Sequence, residues 1–342
     1  MNVTIIAEKP SVSRSIAPIA RKRWPTDIIT FVHVVPYGNI GFQYPRGLKL
    51  HEFPMLSSPR DRLRSWDEWA CPPFLMADDG ELVKIPMSPD LLTSAELIVN
   101  ACDPDQTGAV AFDVLMREVL GEGRSDDCPS VRLYALDGAS IHSAFERMQP
   151  FGEGWAQKLE MGRLKRYFDW NWNVNSLAVF GEVQRRAGVP AGAPPLSKYA
   201  LQLLYRLRNE PPVMEGLLFR DMHEWKGTGR YTFESGAWRP RLGSAASKGQ
   251  IIENLLSARL LQRIEVGGIK RIRISSLGRV LLDQLHPDCE DADLPFRLHA
   301  WCEKGVASKP AVDRYINTFF GKQLRFMRQP KPHNLTTGTQ YD

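Results

Sequence analysis

The most constraining feature of this chain is an apolar run that leads into two carboxylates and then a glycine. Residues 97–102 are followed by Asp103, Asp105 and Gly108, and residues 109–120 have the apolar pattern of a helix. Carboxylates at positions i and i+2 of an extended segment point to the same side, so the two aspartates together can hold one hard cation such as Mg²⁺. The segment therefore predicts a strand, a metal-binding loop and a helix.

The N-terminus repeats this pattern. Residues 3–7 form a second apolar strand, which ends in Glu8 and Lys9 before the helical stretch 12–21. In an open α/β sheet, ligands bind beyond the carboxyl ends of the strands. We therefore expect Glu8, Lys9 and the two aspartates to meet at one metal- and phosphate-binding edge.

Further strand and helix patterns define the fold class of the first half. Residues 28–35 and 131–136 are predicted strands, and residues 140–148 are a predicted helix. Strands that alternate with helices predict an α/β domain over 1–150, Rossmann-like, with a mostly parallel sheet. Residues 44–90, rich in Pro, Trp and Asp, are predicted to form an irregular insertion.

These motifs carry a family resemblance. Glu8-Lys9-Pro10-Ser11, followed about ninety residues later by Asp103-Pro104-Asp105, resembles the TOPRIM domain of type IA DNA topoisomerases, nearest the topoisomerase III branch. The resemblance implies that Glu8 acts as general acid or base at the scissile phosphodiester and that Lys9 stabilises charge there. It also implies that Asp103 and Asp105 hold Mg²⁺ or Mn²⁺.

The chain departs from the family at several positions. Where the family reads DxDREGE, Gln106, Thr107 and Ala109 replace an arginine and two glutamates, so the third metal-side carboxylate is missing. The family's Gly-His-Leu element corresponds to Gly38-Asn39-Ile40, without the histidine. Both departures leave catalysis open.

The charge distribution indicates a partner for the second half. Residues 1–150 contain 15 Lys and Arg against 20 Asp and Glu, whereas residues 151–342 contain 29 against 19. A basic domain gains affinity for nucleic acid by releasing counterions, so DNA is the predicted partner. A basic surface that is only solvated is the alternative.

The second half resembles the same family in shortened form. Residues 165–175 resemble the ARxxxDW…N helix, with Lys165 in place of the arginine, and residues 243–256 and 276–283 resemble two later helical motifs. The resemblance implies a mainly helical DNA-binding domain over 151–328. Its predicted DNA contacts are Lys165, Asp169, Asn175 and Lys248. The low apolar content of 329–342 predicts a flexible tail.

Part of this domain predicts a winged-helix-like element. Ser247 and Gln250 form a candidate capping box, and Gly267-Gly268 joins the short strands 263–266 and 269–275 as a tight hairpin. Positive charge on this wing could meet a phosphate backbone, although a small packing module with a solvated wing is the alternative. The basic wing residues are Lys270, Arg271 and Arg273.

The nucleophile of the family has no clear counterpart. Type IA topoisomerases cleave with a tyrosine on a large gate domain, but fewer than eighty residues separate the 165–175 helix from the 243–256 motif. Tyr205 and Tyr231 are the nearest candidates, without the expected neighbours. Three functions stay open: a minimal topoisomerase-like protein on single-stranded or junction DNA, which a separate gate subunit could complete; a TOPRIM nuclease using water; and a non-catalytic scaffold.

Composition sets the remaining expectations. No apolar run approaches the ~18–20 residues that span a bilayer, and the chain begins directly with a strand and helix, so we expect neither a membrane segment nor a signal peptide. Five cysteines without a CxxC pair predict reduced thiols in a cytoplasmic, nucleoid-associated protein. Residues 187–196, rich in Gly and Pro, are a predicted hinge.

Overall fold

The structure is a computed structural model that describes residues 1–232, 239–244 and 247–329. It contains two compact units that interleave along the sequence. The first comprises 1–46, 58–170 and 300–310, and the second takes in the rest. The division into 1–150 and 151–328 stays a prediction.

The first unit is built on a mixed sheet. Its strands are β1 (Asn2–Ala7), β2 (Ile28–His33), β3 (Ile40–Phe42), β4 (Asp61–Leu63), β5 (Phe74–Met76), β6 (Leu82–Lys84), β7 (Leu97–Asn100), β8 (Pro129–Ser130) and β9 (Gln149–Pro150). The described strands run in the order β6-β5-β2-β1-β7-β8-β9, and a separate pair is β3-β4. The central strands β2, β1, β7 and β8 are parallel, while β5, β6 and β9 add antiparallel edges.

Helices cover both faces of this sheet. The helices are α1 (Pro10–Arg23), α2 (Pro36–Asn39), α3 (Asp90–Thr93), α4 (Gln106–Leu120), α5 (Gly138–Glu146), α6 (Phe151–Gly154) and α7 (Ala156–Ala187). Because side chains alternate along a strand, Val3 and Ile5 of β1 pack with one set of helices and Ile6 with the other. The first face packs on α1 and α5, and the second on α4.

Two predictions about the first half were wrong in detail. The strand predicted at 131–136 is only Pro129–Ser130, and residues 131–136 are irregular, although the Val131 amide still donates to the Asn100 carbonyl. The stretch 44–90, predicted to be irregular, supplies β4, β5 and β6. Its strands have only three residues each, too few for periodicity to reveal them.

The remaining elements are mostly helical. They are α8 (Lys198–Leu207), β10 (Val213–Met214), α9 (Glu215–His223), α10 (Lys248–Ser257), β11 (Leu261–Val266), β12 (Ile269–Ile274), α11 (Ser276–Asp283), α12 (Leu294–Glu303) and α13 (Lys309–Arg328). The strands form a small antiparallel sheet of order β10-β12-β11. The Gly267-Gly268 hairpin is confirmed, with positive φ at both glycines (59° and 75°).

One further local prediction was wrong. Ser247 precedes α10 but its side chain does not cap the helix, and Gln250 bonds Asn254 instead. Ser176 and Gln184 of α7 donate hydrogen bonds to carbonyls within 187–196, and the role of this segment as a hinge stays a prediction. The helix–hairpin–helix order α10, β11, β12, α11 is present, and its assignment as winged-helix-like stays a prediction.

The described part of the chain has no helix long and apolar enough to cross a bilayer. All five cysteines are free thiols. The predicted tail lies outside the described residues except for Gln329.

Candidate functional site

Adjacent parallel strands bring the two predicted motifs to one edge. β1 and β7 pair with Ile6 opposite Asn100, and the Ala101 amide donates to the Ile6 carbonyl at 2.7 Å. Glu8 and Asp103 therefore leave the sheet side by side. We call Glu8, Lys9, Asp103 and Asp105 the acidic edge.

Asp105 begins helix α4. It is the N-cap residue, and its Oδ1 accepts hydrogen bonds from the amides of Thr107 at 2.7 Å and Gly108 at 2.9 Å. A carboxylate is favourable there because the first amides of a helix lack intrahelical acceptors and the N-terminus carries partial positive charge. The described residues supply no partner for its Oδ2, which stays available to a cation.

Gly108 allows the helix to approach the acidic edge. A Cβ atom at this position would lie 2.2 Å from the Asp103 carbonyl oxygen and 2.7 Å from Glu8 Oε1. The first distance is to backbone, which cannot rotate away. The glycine noted in the sequence is therefore required by close packing.

Glu8 is the most perturbed group of the edge. Its side chain is buried, with 6% of the residue exposed, and its Oε1 has no hydrogen-bond partner in the described structure. Burial, together with the charges of Asp103 and Asp105, raises the pKa of Glu8 to about 8, although Lys9 and a backbone hydrogen bond from Asp103 act in the opposite direction.

Lys9 partly neutralises the edge. Its Nζ lies 3.0 Å from Asp103 Oδ2, and this hydrogen bond raises the pKa of Lys9. The two side chains are 59% and 39% exposed, so water and salt screen the pair. The lysine can move to another anion at little cost.

The donor chemistry of the edge fits Mg²⁺. All three acidic side chains offer oxygen, one buried oxygen is unpartnered, and like charges crowd together. No three His, Cys, Asp or Glu side chains in 1–232, 239–244 and 247–329 are arranged as a complete ligand set. Mg²⁺ keeps several waters and is often held by one or two carboxylates, so a complete protein cage is unnecessary.

The positions that depart from the family have structural roles. Ala109 is fully buried in the core beneath α4, which leaves no room for a carboxylate in this packing. Asn39 is also buried, and its Oδ1 accepts from the Val35 amide at 2.7 Å while its Nδ2 has no partner among the described residues. Thr107 lines a narrow cleft together with Tyr37 and Lys165.

Sequence reasoning missed a buried polar pair at the same end of the sheet. His33 pairs with Ala7, the residue before Glu8, and its Nδ1 donates to the Pro72 carbonyl at 2.8 Å. The Ser13 hydroxyl then donates to His33 Nε2 at 2.9 Å. Burial lowers the pKa of His33, and because both side chains are inaccessible the pair serves packing. The sequence feature that could have indicated this pair is a histidine, His33, at the end of an apolar strand.

The predicted DNA contacts on α7 already have protein partners. Lys165 forms an ion pair with Asp169 one turn on. Asn175 is buried, and its amide bonds both the N–H (2.8 Å) and the carbonyl (2.7 Å) of Met55. Asn171 does the same with Ser57, so the two amides hold segment 47–57 as a neighbouring strand would. Contact between these residues and DNA stays a prediction.

The other predicted contacts are dispersed. Lys248 is buried, with its Nζ 3.1 Å from His223 Nδ1, and burial and the charge of Arg241 lower its pKa. On β12, Ile272 and Ile274 are buried, so Lys270 lies on their face of the strand. Arg271 and Arg273 lie on the opposite face, and the three basic residues do not form one patch.

The two candidate tyrosines are held within the protein. Tyr205 is 7% exposed, its hydroxyl has no described partner, and burial raises its pKa, which keeps it protonated. Tyr231 stacks on Phe296 with ring centroids 5.3 Å apart. Protonation makes the Tyr205 hydroxyl a weaker nucleophile.

Comparison with solved structures finds a likeness to full-length topoisomerase I from Thermotoga maritima, with 12% identity and a TM-score of 0.35. The match covers 72% of this chain and 37% of that chain, so the matched region spans little more than a third of the neighbour's length. No protein-family profile and no curated protein matches the chain.

Proposed function

We propose that this chain is a TOPRIM-type protein that binds single-stranded or junction DNA and acts with Mg²⁺ at a phosphodiester. One observation carries the proposal. The acidic edge unites a buried, unpartnered glutamate oxygen with two aspartates and an exposed lysine at the carboxyl edge of a parallel sheet. Burying a carboxyl oxygen without a hydrogen bond costs free energy, and a bound cation or water beside it would offset that cost.

Each residue has a role in this proposal. Asp103 and Asp105 would hold Mg²⁺ or Mn²⁺, which supplies charge neutralisation at the phosphate when bound. Lys9 would exchange Asp103 for a phosphate oxygen. Glu8 would move the proton: as an oxygen nucleophile bonds to phosphorus, the sugar oxygen leaves and must be protonated.

Water is the better-supported nucleophile. The described geometry buries Tyr205 with a raised pKa and stacks Tyr231 against a phenylalanine. This favours a nuclease that hydrolyses DNA over a covalent protein–DNA intermediate. Autonomous strand passage would need a gate from a partner protein, and a cytoplasmic, nucleoid-associated location would follow from the DNA substrate.

A scaffold function is the competing proposal. The ion pair of Lys9 with Asp103 and the capping of α4 by Asp105 would both serve a protein that binds DNA without cleaving it. The unpartnered Glu8 oxygen is the feature that this reading leaves unexplained.

The test is a denaturing-gel assay on end-labelled single-stranded and junction DNA with Mg²⁺ or EDTA. Glu8→Gln removes the charge and keeps the shape, so cleavage should fall by a factor of about 10²–10⁴ while DNA binding persists. Glu81→Gln, at an exposed glutamate of the same unit, should cleave like the wild type.

The outcomes separate the readings. Cleavage that is insensitive to Glu8→Gln contradicts the proposed site, and binding without cleavage by the wild type establishes the scaffold. Tyr205→Phe should leave hydrolysis unchanged, whereas a covalent adduct that this variant abolishes would establish the tyrosine.

A further inference from the structure

A basic and aromatic cleft lies in the first unit, in a stretch predicted to be irregular. It adjoins the two-stranded ribbon of β3 and β4 and has a volume of about 840 Å³. We call it the ribbon cleft; its charged and aromatic lining is Phe42, Tyr44, Arg46, Arg60 and Arg62.

Strand alternation explains why arginines line the cleft. Arg60 and Arg62 flank Asp61 and point to the opposite side of the chain from it. Asp61 turns inward and accepts hydrogen bonds from Arg117 at 2.6 Å and from Arg166 at 2.9 Å. The only acid of β4 is therefore already neutralised.

The cleft arginines are not neutralised in the same way. Across 1–232, 239–244 and 247–329, no carboxylate pairs with Arg46, Arg60 or Arg62, and all three are exposed. None of the residues that line the cleft is acidic. Three guanidinium groups without acidic partners form a surface suited to phosphate groups, which guanidinium binds through two parallel hydrogen bonds.

The aromatic rings are held in place beside these charges. The rings of Phe42 and Tyr44 lie 5.9 Å apart, and Tyr44 lies 6.1 Å from Trp170. The Arg166 guanidinium sits 4.2 Å from the centre of the Phe42 ring. Rings that are fixed and half-exposed can stack on unpaired bases without losing much side-chain entropy.

We propose that the ribbon cleft binds a single-stranded segment of DNA, with Arg46, Arg60 and Arg62 on phosphates and Phe42 and Tyr44 against bases. The inference rests on the proposed function in that DNA is the partner. Stacking requires unpaired bases, because the base faces of a duplex are already stacked on one another. The cleft therefore selects single strands, while the acidic edge performs the chemistry.

The test measures the affinity of a fluorescent 15-nucleotide oligothymidine by anisotropy, in EDTA, across a series of KCl concentrations. The variant Arg60→Gln/Arg62→Gln should bind at least tenfold more weakly. Its dependence of log K on log[salt] should flatten by roughly 1.4, since each phosphate contact on single strands contributes about 0.7. Tyr44→Leu should weaken binding about tenfold and leave the salt slope unchanged.

The matched control is Lys22→Gln/Arg23→Gln, which removes two exposed charges from the end of α1 in the same unit. It should change affinity less than twofold. Circular dichroism checks that every variant is folded. Equal weakening by both double variants would mean that only net charge matters, and it would contradict the ribbon cleft as the DNA-binding site.

The remaining outcomes distinguish the two proposals. Wild-type affinity for blunt duplex equal to that for the single strand would overturn the inference, as would tighter binding of oligouridine than of oligothymidine. Wild-type-like binding by Arg60→Gln/Arg62→Gln would contradict the ribbon cleft as the DNA-binding site but would leave the proposed function standing. A wild-type protein that binds no DNA would contradict the proposed function itself.

Discussion

The acidic edge and the ribbon cleft place charge in opposite ways within one compact unit. At the acidic edge a buried carboxylate lies among like charges, with one exposed lysine to offset them. Beside the ribbon cleft the buried acid, Asp61, is held by two arginines, and the surplus positive charge is exposed. Crowded buried charge favours proton uptake or a cation, whereas exposed unpaired charge favours an anionic partner.

The largest expected effect is a pH dependence caused by Glu8. Because its pKa is raised from the ordinary 4.5 to about 8 in the folded state, the folded protein binds the extra proton between these values. The contribution of this proton to the free energy of unfolding is therefore fully present below pH 4.5 and is lost as the pH rises through 8. The loss is on the order of 4 kcal/mol in the free energy of unfolding between pH 5 and pH 9.

Urea denaturation at a series of pH values in EDTA measures this slope. Glu8→Gln mimics the neutral acid, so its free energy of unfolding should lack this loss and should change only through groups that both proteins share, such as His33. Identical pH profiles for the wild type and Glu8→Gln between pH 5 and pH 9 would show that the pKa of Glu8 is not raised.

A smaller effect is expected from Asp61→Asn. The Asp61 side chain is 9% exposed and its partners Arg117 and Arg166 are 24% and 14% exposed, so the change leaves two half-buried guanidinium groups without their shared carboxylate, although Arg117 keeps its ion pair with Glu118. We expect a loss of about 3 kcal/mol in the free energy of unfolding. Lys9→Gln breaks the exposed pair with Asp103 and should cost less than about 1 kcal/mol. Equal losses in urea denaturation would remove the contrast between the two regions.

An effect smaller than that of Asp61→Asn is expected from Gly108→Ala. The added methyl group must push the Asp103 backbone aside, which overpacks the acidic edge at a cost of about 2 kcal/mol. Gly138→Ala is the control, because a Cβ atom there meets nothing within 4 Å and alanine is a better helix former. Thermal unfolding of both variants gives the comparison, and equal melting temperatures would disprove the close approach of α4.

Local patterns predicted the framework of the acidic edge. The strands β1, β2 and β7, the helices α1, α4 and α5 and the Gly267-Gly268 hairpin all follow from periodicity and turn chemistry within a few neighbouring residues. The same patterns failed where strands are very short, as in β4 and β8, since two or three residues carry no period.

The sequence by itself determined which charged groups follow each apolar strand, because a strand and the loop after it are local in the chain. Only the tertiary structure decided that β1 and β7 are neighbours, that Glu8 is buried and that Asn175 bonds Met55, 120 positions away. It also decided that Arg60 and Arg62 share a cleft with aromatic rings. These features depend on contacts between residues distant in the chain, and burial and electrostatic fields exist only once those contacts have formed.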